Sequence, residues 1–172
     1  ITITNSYVDF KVKIADRNER VKTGIPGRFS VYNSLAAICV AQKFGISPEI
    51  IKEALLEVRV PGRSEMVDNK LELPIMIDYA HSPESLQNIL QAVKSYTRGK
   101  VISVFGCGGD RDNSKRAVMG EISGRIADFT FITSDNPRTE KPEKITEQIE
   151  EGMKKTKGKY KVVVDRTEAI KE

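Results

Sequence analysis

The chain has 172 residues, of which 39% are hydrophobic and 30% charged, a balance that excludes a disordered chain and predicts a soluble globular one. Its 28 lysines and arginines exceed its 24 aspartates and glutamates only modestly, and no concentrated basic stripe carries the five tyrosines and six phenylalanines, which speaks against nucleic-acid binding. No apolar run approaches the length of a membrane span, no signal-peptide pattern opens the sequence, and the two cysteines lie in unrelated contexts that suit neither a disulfide framework nor a zinc site. A cytoplasmic protein is the resulting expectation, with length enough for one domain and a piece of another.

Residues 1–21 alternate as strands do, ITIT and then YVDFKVKI, with a polar turn at Asp16–Arg20, and predict an antiparallel meander. A strand-like run at residue 1 without a methionine predicts entry in mid-domain, with further sequence upstream. The stretch VYNSLAAICVAQKF sets Val31, Leu35, Ile38, Cys39 and Phe44 at helical spacing, with Ser30 as N-cap, Gly45 as the stop and Cys39 in the core. Ser47 and Pro48 open a second helix, PEIIKEALLEV. The break at Val60-Pro61-Gly62 is the expected domain boundary, because strand periodicity follows it.

Beyond the break, EMVDNKLEL reads as a hairpin and PIMIDYA as a strand. Helix and strand then alternate: SPESLQNILQAVKSY with Ser82 as cap and Pro83 in the first turn, VISVF, SKRAVMGEISGRIA, DFTFIT, PEKITEQIEEGMKK, KYKVVVD and a helix from TEAIKE. Such alternation predicts an α/β fold with a mostly parallel sheet and right-handed crossovers. The shortness of the last helix predicts truncation at the carboxyl end.

Four polar turns follow successive strands on this reading: Asp78–His81, Gly106–Arg116, Ser134–Arg138 and Asp165-Arg166. Ligands of open α/β sheets sit at that edge. The loop GCGGDRDNSKR fails both common nucleotide patterns, since Ser114 precedes Lys115 where a Walker A loop ends in Gly-Lys-Ser/Thr, and Arg111 stands where the dinucleotide fingerprint has its third glycine. It still opens a helix, whose free amides favour anions, and Lys115 and Arg116 in the first turn oppose the dipole, which suggests a compensating anion. A solvated basic turn is the equal alternative. Cys107 reads as a small turn residue.

Arg111 and Arg138 carry guanidinium forks suited to carboxylates and phosphates. SDNPRTEKP has ordinary turn composition, with Asn136 biased toward extended geometry by Pro137. Its place after a strand raises a sharper reading, in which Arg138 clamps a carboxylate and Asn136 reads a neighbouring amine or amide. His81 is the only histidine, and a lone histidine is more often structural than catalytic. Asp78, ending PIMID, could accept from ribose hydroxyls or simply cap the next helix. Arg63 could meet phosphate from the hinge or join a surface ion pair.

Taken together, GRFSVYNSLAA, VPGRSE, IDYAHSPESL, VFGCGGDRDNSKR and TSDNPR resemble the Mur ligases, in one order and over essentially the whole chain. The last two resemble the member that adds the third amino acid of the peptide. The resemblance implies that Ile1–Val60 ends a central ATPase domain and that Pro61–Glu172 is most of a Rossmann-like carboxyl-terminal domain. It implies an ATP-dependent amide ligase of peptidoglycan synthesis, and hence of cell shape and division. The carboxylate of UDP-MurNAc-L-Ala-D-Glu becomes an acyl phosphate, with Mg2+ assisting, and the amine of meso-diaminopimelate attacks it.

By the same resemblance, Asn33 matches an adenine contact, Arg63 a phosphate contact and Asp78 a ribose contact, and His81 lies beside the nucleotide. Asp135, Asn136, Pro137 and Arg138 match the meso-diaminopimelate motif, with Arg138 on the distal carboxylate, and Arg111 matches a second substrate-binding arginine. Lysine would leave a buried Arg138 unpaired at a cost of roughly a few kcal/mol, so the diacid or a thioether analogue such as lanthionine is favoured. The family's phosphate loop, magnesium ligands and carbamylated lysine are expected upstream of Ile1, and a glycine–glutamate motif beyond Glu172. The fragment is therefore expected to be inactive alone, with no catalytic residue or metal site of its own, and the protein to be a monomer that neither binds nucleic acid nor enters a membrane. Asn113-Ser114 departs from the family's usual Lys or Arg with Gly, and Ser30 from a usual Asn. Two rivals remain: another ligase of the same fold, including a folylpolyglutamate-type synthetase, and a non-catalytic nucleotide or amino-acid binding module.

Overall fold

A computed structural model of the chain describes residues 1–14, 16–71 and 73–172. Contacts group it into two compact units, Ile1–Tyr79 and Ala80–Glu172. The first opens on an antiparallel meander, β1 (Thr2–Ile3), β2 (Val8–Ile14) and β3 (Arg17–Thr23), in that spatial order. Register pairs Ile14 with Arg17, so Arg17–Arg20 lie in β3 rather than in the expected polar turn. Asp16 takes the turn with φ of 64°, a left-handed conformation that aspartate tolerates; Ala15 lies outside the described residues.

Alternation along β2 and β3 buries Val8, Phe10, Ile14 and Val21 against Val31 and Ile38 of α1 (Phe29–Lys43) and Ile51 of α2 (Pro48–Glu57). Gly45 stops α1 as expected: at φ of 71° its N–H donates to Gln42 O, and that of Ile46 to Ala41 O, closing a Schellman turn. Ser47 caps α2 ahead of Pro48. Two expectations for α1 fail. The N-cap is Arg28, and Ser30 is a buried first-turn residue whose hydroxyl donates to Pro26 O, because the turn at Gly27 starts the helix earlier. Cys39 is exposed, because the packed face runs through Ser30, Val31, Ser34 and Ile38 and the next residue is rotated about 100° away.

The hairpin expected within EMVDNKLEL forms differently. Glu65–Val67 (β4) pairs antiparallel with Ile75–Ile77 (β5) in a separate two-stranded sheet. Asn69 ties the intervening loop, its amide donating to Val67 O and Leu73 O. PIMID is thus the second arm of this hairpin rather than a parallel strand, since apolar composition marks a strand without naming its partner. Glu72, expected in the hairpin, lies outside the described residues.

The second unit is the predicted α/β alternation: α3 (Pro83–Tyr96), β6 (Ile102–Phe105), α4 (Ser114–Ile126), β7 (Phe129–Ile132), α5 (Pro142–Met153), β8 (Tyr160–Val162) and α6 (Arg166–Lys171). The strands form one parallel sheet in the order β6-β7-β8. Ser82 caps α3 in a reciprocal capping box with Ser85, and Pro83 stands in the first turn. Ile145, Ile149 and Met153, spaced four apart, bury one face of α5.

Helices α4 and α5 cross at glycines. A Cβ on Gly120 would stand 2.0 Å from Ile149 O, and one on Gly152 would stand 1.8 Å from Ala117 O. Backbone meets backbone here, so no rotamer change relieves the clash. Gly152→Ala is expected to destabilise the second unit by about 2 kcal/mol or more. Urea unfolding of the 172-residue chain tests this: the midpoint should fall at unchanged slope, and a parent-like midpoint would show that the crossing can widen without cost.

Candidate functional site

The loops that leave β6 and β7 meet at the carboxyl edge of the parallel sheet. Thr133 N–H donates to Phe105 O across 3.0 Å, extending the ladder one step past the strands. The first loop then runs so close that a Cβ on Gly106 would lie 2.1 Å from Thr133 O, and one on Gly109 would lie 1.9 Å from Pro137 O. Glycine at these positions is a packing requirement.

From there the loops are fastened polar group to polar group. Gly109 N–H donates to Asn136 O at 2.8 Å, and Arg138 Nη1 returns to Gly109 O at 2.7 Å. Thr139 donates its hydroxyl and its amide to the two oxygens of Asp110, at 2.7 and 3.2 Å. Asp110 N–H donates to Glu140 Oε1 at 2.6 Å. Asp110 and Arg138 both hold left-handed backbones, at φ of 52° and 50°. Asn136 Oδ1 accepts from Arg138 N–H, closing the local turn.

Behind this clasp lies Arg116, in the first turn of α4 and with no exposed surface. Its Nη1 donates to Glu140 Oε2 at 2.8 Å and Gln148 Oε1 at 2.7 Å, and its Nη2 to Glu140 Oε1 at 2.8 Å and Gly108 O at 3.1 Å. The anion expected to compensate Arg116 is therefore Glu140 of the chain itself, and the solvated-turn alternative does not apply to this residue. Hydrogen bonds from Arg116 and from the Asp110 amide hold the Glu140 carboxyl down at about 2. Lys115, beside it, donates to His81 O at 2.6 Å. Cys107 is buried, its thiol pushed up to about 11 by burial, which makes it a poor nucleophile.

The loop after β8 joins the same edge. Ser134 N–H donates to Val164 O, and Arg166 Nε to Ser134 O at 2.9 Å, with its fork 3.9 Å from Asp135. Three of the four expected turns thus share one sheet edge; Asp78–His81 follows β5, which belongs to the antiparallel pair. Arg111, Asp135, Asn136 and Arg138 are exposed and Pro137 is half-buried. Exposure corrects the expectation of a buried Arg138. An exposed guanidinium stays hydrated when unpaired, so the penalty attached to a buried Arg138 does not apply to the unliganded chain.

Of the residues matched to a nucleotide, Asn33, Arg63 and Asp78 lie in the first unit and His81 in the second. Asn33 is exposed on α1. Arg63 is exposed and lies over the Tyr79 ring, 4.3 Å from its centroid, a cation–π contact. Asp78 accepts from Ser64 N–H at 2.8 Å and from its hydroxyl at 3.4 Å, so Ser82, not Asp78, caps the following helix. His81 is exposed. Among the described residues no group of three or more His, Cys, Asp and Glu side chains is placed to hold a metal ion.

Sequence reasoning missed Ser64, Thr139, Glu140 and Gln148. Only Glu140 left a signal, as the first acidic residue after an arginine-bearing turn that followed a loop with an uncompensated cation.

The family profile described as "Mur ligase, glutamate ligase domain" matches residues 62–172. The chain is 53% identical over 166 residues to the UDP-N-acetylmuramoyl-L-alanyl-D-glutamate--2,6-diaminopimelate ligase of Caldanaerobacter subterraneus subsp. tengcongensis, covering 96% of this chain and 34% of that protein. It spans about a third of the length of the curated relatives it matches. A solved structure of a ligase of the same name is 31% identical with a TM-score of 0.62, covering 98% of this chain and 35% of the other. The folylpolyglutamate synthase of Mycobacterium tuberculosis complexed with ADP shares the fold, with a TM-score of 0.77 at 17% identity over 98% of this chain and 38% of its own.

The depressed Glu140 carboxyl makes stability depend on acid in a defined direction. Its contribution is complete above the ordinary value of 4.5 and is lost as pH falls toward about 2. Between those limits the unfolding free energy of the 172-residue chain should fall more steeply with acid than that of Glu140→Gln. Parallel slopes in an acid titration followed by urea unfolding would show that Glu140 titrates normally.

Proposed function

The chain belongs to the Mur ligase family, and on that premise we propose that it is the amino-acid-binding part of an ATP-dependent ligase joining meso-diaminopimelate to UDP-MurNAc-L-Ala-D-Glu. The observation that carries the reading is the exposed Arg138 guanidinium, tethered to Gly109 O beside Asn136 at the sheet edge. A tethered fork is oriented before a ligand arrives, so less side-chain freedom is lost on pairing with a carboxylate. Relatives named as diaminopimelate ligases support the same assignment.

In this reading Arg138 pairs with the distal carboxylate of meso-diaminopimelate. Asp135 and Asn136 read its amino group, Pro137 holds the turn, and Arg111 meets a second anionic group. Asp78, an acceptor oriented by Ser64, takes the ribose of ATP. Arg63 takes a phosphate, Asn33 the adenine, and His81 lies beside the nucleotide. An acceptor and an exposed cation are the chemistry a nucleotide needs from these positions. ATP supplies the phosphoryl group that activates the dipeptide carboxylate, and Mg2+, held by residues that the family resemblance places upstream of Ile1, would neutralise its charge. The chain's own contribution is to bind and orient the amine for attack. Residues 1–60 belong to the ATPase domain and 61–172 to the carboxyl-terminal domain. The complete protein acts as a cytoplasmic monomer in peptidoglycan synthesis, and so in cell shape and division.

ADP release by the complete gene product with UDP-MurNAc-L-Ala-D-Glu tests this, offering meso-diaminopimelate, lanthionine and lysine in turn. Turnover is expected with both diacids. Arg138→Ala should lower kcat/KM for them about a hundredfold, the equivalent of roughly 2–3 kcal/mol. Lysine turnover indifferent to the variant would overturn the specificity, and no turnover with any amino acid would favour a non-catalytic binding module.

A further inference from the structure

We infer that Arg116 and Glu140 are positioning residues: their buried pair holds the Gly108–Asp110 and Asn136–Glu140 segments in one register, so that Arg138 and Asn136 meet the amino acid at a fixed spacing. The inference rests on the amino-acid site just proposed.

The two loops have little apolar surface with which to hold each other. Between residues 106 and 113 only Cys107 is apolar besides glycine, and between 134 and 140 only Pro137. Polar bonds must therefore set their register. A guanidinium carries five N–H donors, and four of those on Arg116 are engaged, on a carbonyl of the first loop, both carboxylate oxygens of the second and the Gln148 amide of α5. Arg116 thereby measures both loops against two helices.

Glu140 extends the constraint to the surface. The oxygen that accepts from Arg116 Nη2 also accepts from the Asp110 amide, at 2.6 Å, and so supports a left-handed aspartate. Asp110 in turn receives Thr139, and Gly109 receives Arg138. Arg138 holds a strained conformation for a non-glycine residue, and such a conformation persists where the surroundings over-determine it. The chain of contacts from Arg116 supplies that over-determination. An ion pair with one member fully buried is weak evidence for stability in itself; its worth here is geometric.

The test uses the complete gene product carrying Glu140→Gln, Arg116→Lys, Thr139→Val or, as a control within the same unit, Ser123→Ala. The control removes the buried Ser123–Thr130 hydrogen bond and touches neither loop. Glu140→Gln sets an amide donor against Arg116, and Arg116→Lys keeps the charge but cannot span both loops. Both should raise KM for meso-diaminopimelate at least tenfold and leave those for ATP and UDP-MurNAc-L-Ala-D-Glu within twofold. Thr139→Val, an exposed change with little risk to folding, should raise the same KM about threefold. Unchanged KM values, or an equal rise in Ser123→Ala, would overturn the inference.

Hydrogen exchange of the unliganded proteins separates this inference from the function it rests on. Peptides covering 106–112 and 135–141 should exchange at least tenfold faster in Glu140→Gln, while the sheet amides of Thr133 and Val163 stay protected. Protection unchanged in the loops overturns the clasp whatever the enzyme's substrate; lost protection in an enzyme that refuses diaminopimelate upholds the clasp and overturns the substrate.

Discussion

Arg116 is a guanidinium with no exposed surface at the amino end of a helix, where both desolvation and the helix dipole disfavour a cation. Glu140 answers both objections, and it comes from a different loop, so burying the charge and joining the loops are one event. The proposed amino-acid site depends on that coincidence. Apart from Cys107, the segments that carry Arg111 and Asp135–Arg138 are glycine, proline and polar residues, with little apolar surface to hold them together. Hydrogen bonding to Arg116 and Asp110 holds the Glu140 carboxylate far below its ordinary range, so the pair stays charged at any physiological pH.

The scaffold makes the pair possible. Gly120 and Gly152 let α4 and α5 approach until backbone touches backbone. Gln148 stands next to Ile149, whose carbonyl abuts Gly120, and Arg116 stands one turn before Gly120 on the facing helix. Small residues at the crossing therefore bring Gln148 within 2.7 Å of the guanidinium. Larger ones would part the helices and lift the arginine off its partners. The parallel sheet adds the other constraint, because neighbouring strands that end in step deliver their loops to the same edge.

Much of this framework was legible. Caps such as Ser82 and stops such as Gly45 act through bonds a few residues away, and β6 and β7 are apolar runs bounded by turns, so local chemistry announces them. What failed depends on partners distant in sequence. PIMID reads equally well as a parallel strand or a hairpin arm until Glu65–Val67 is found beside it. Cys39 reads as core until the packed face of α1 proves to run through serines. Ser134–Arg138 was legible as a turn after a strand. Its tether to Gly109 was not, and neither was the burial of Arg116, because no periodicity marks an arginine for the interior.

The clasp fastens two loops at one sheet edge and leaves Arg138 exposed and tethered there, as the proposed reading of a small diacid requires. A crystal structure of the complete protein with meso-diaminopimelate bound tests that most directly. The distal carboxylate should lie about 3 Å from the Arg138 guanidinium, with the bonds from Gly109 to Asn136 and from Arg116 to Glu140 unchanged. Diaminopimelate bound away from Arg138, or loops that part to admit it, would contradict the account.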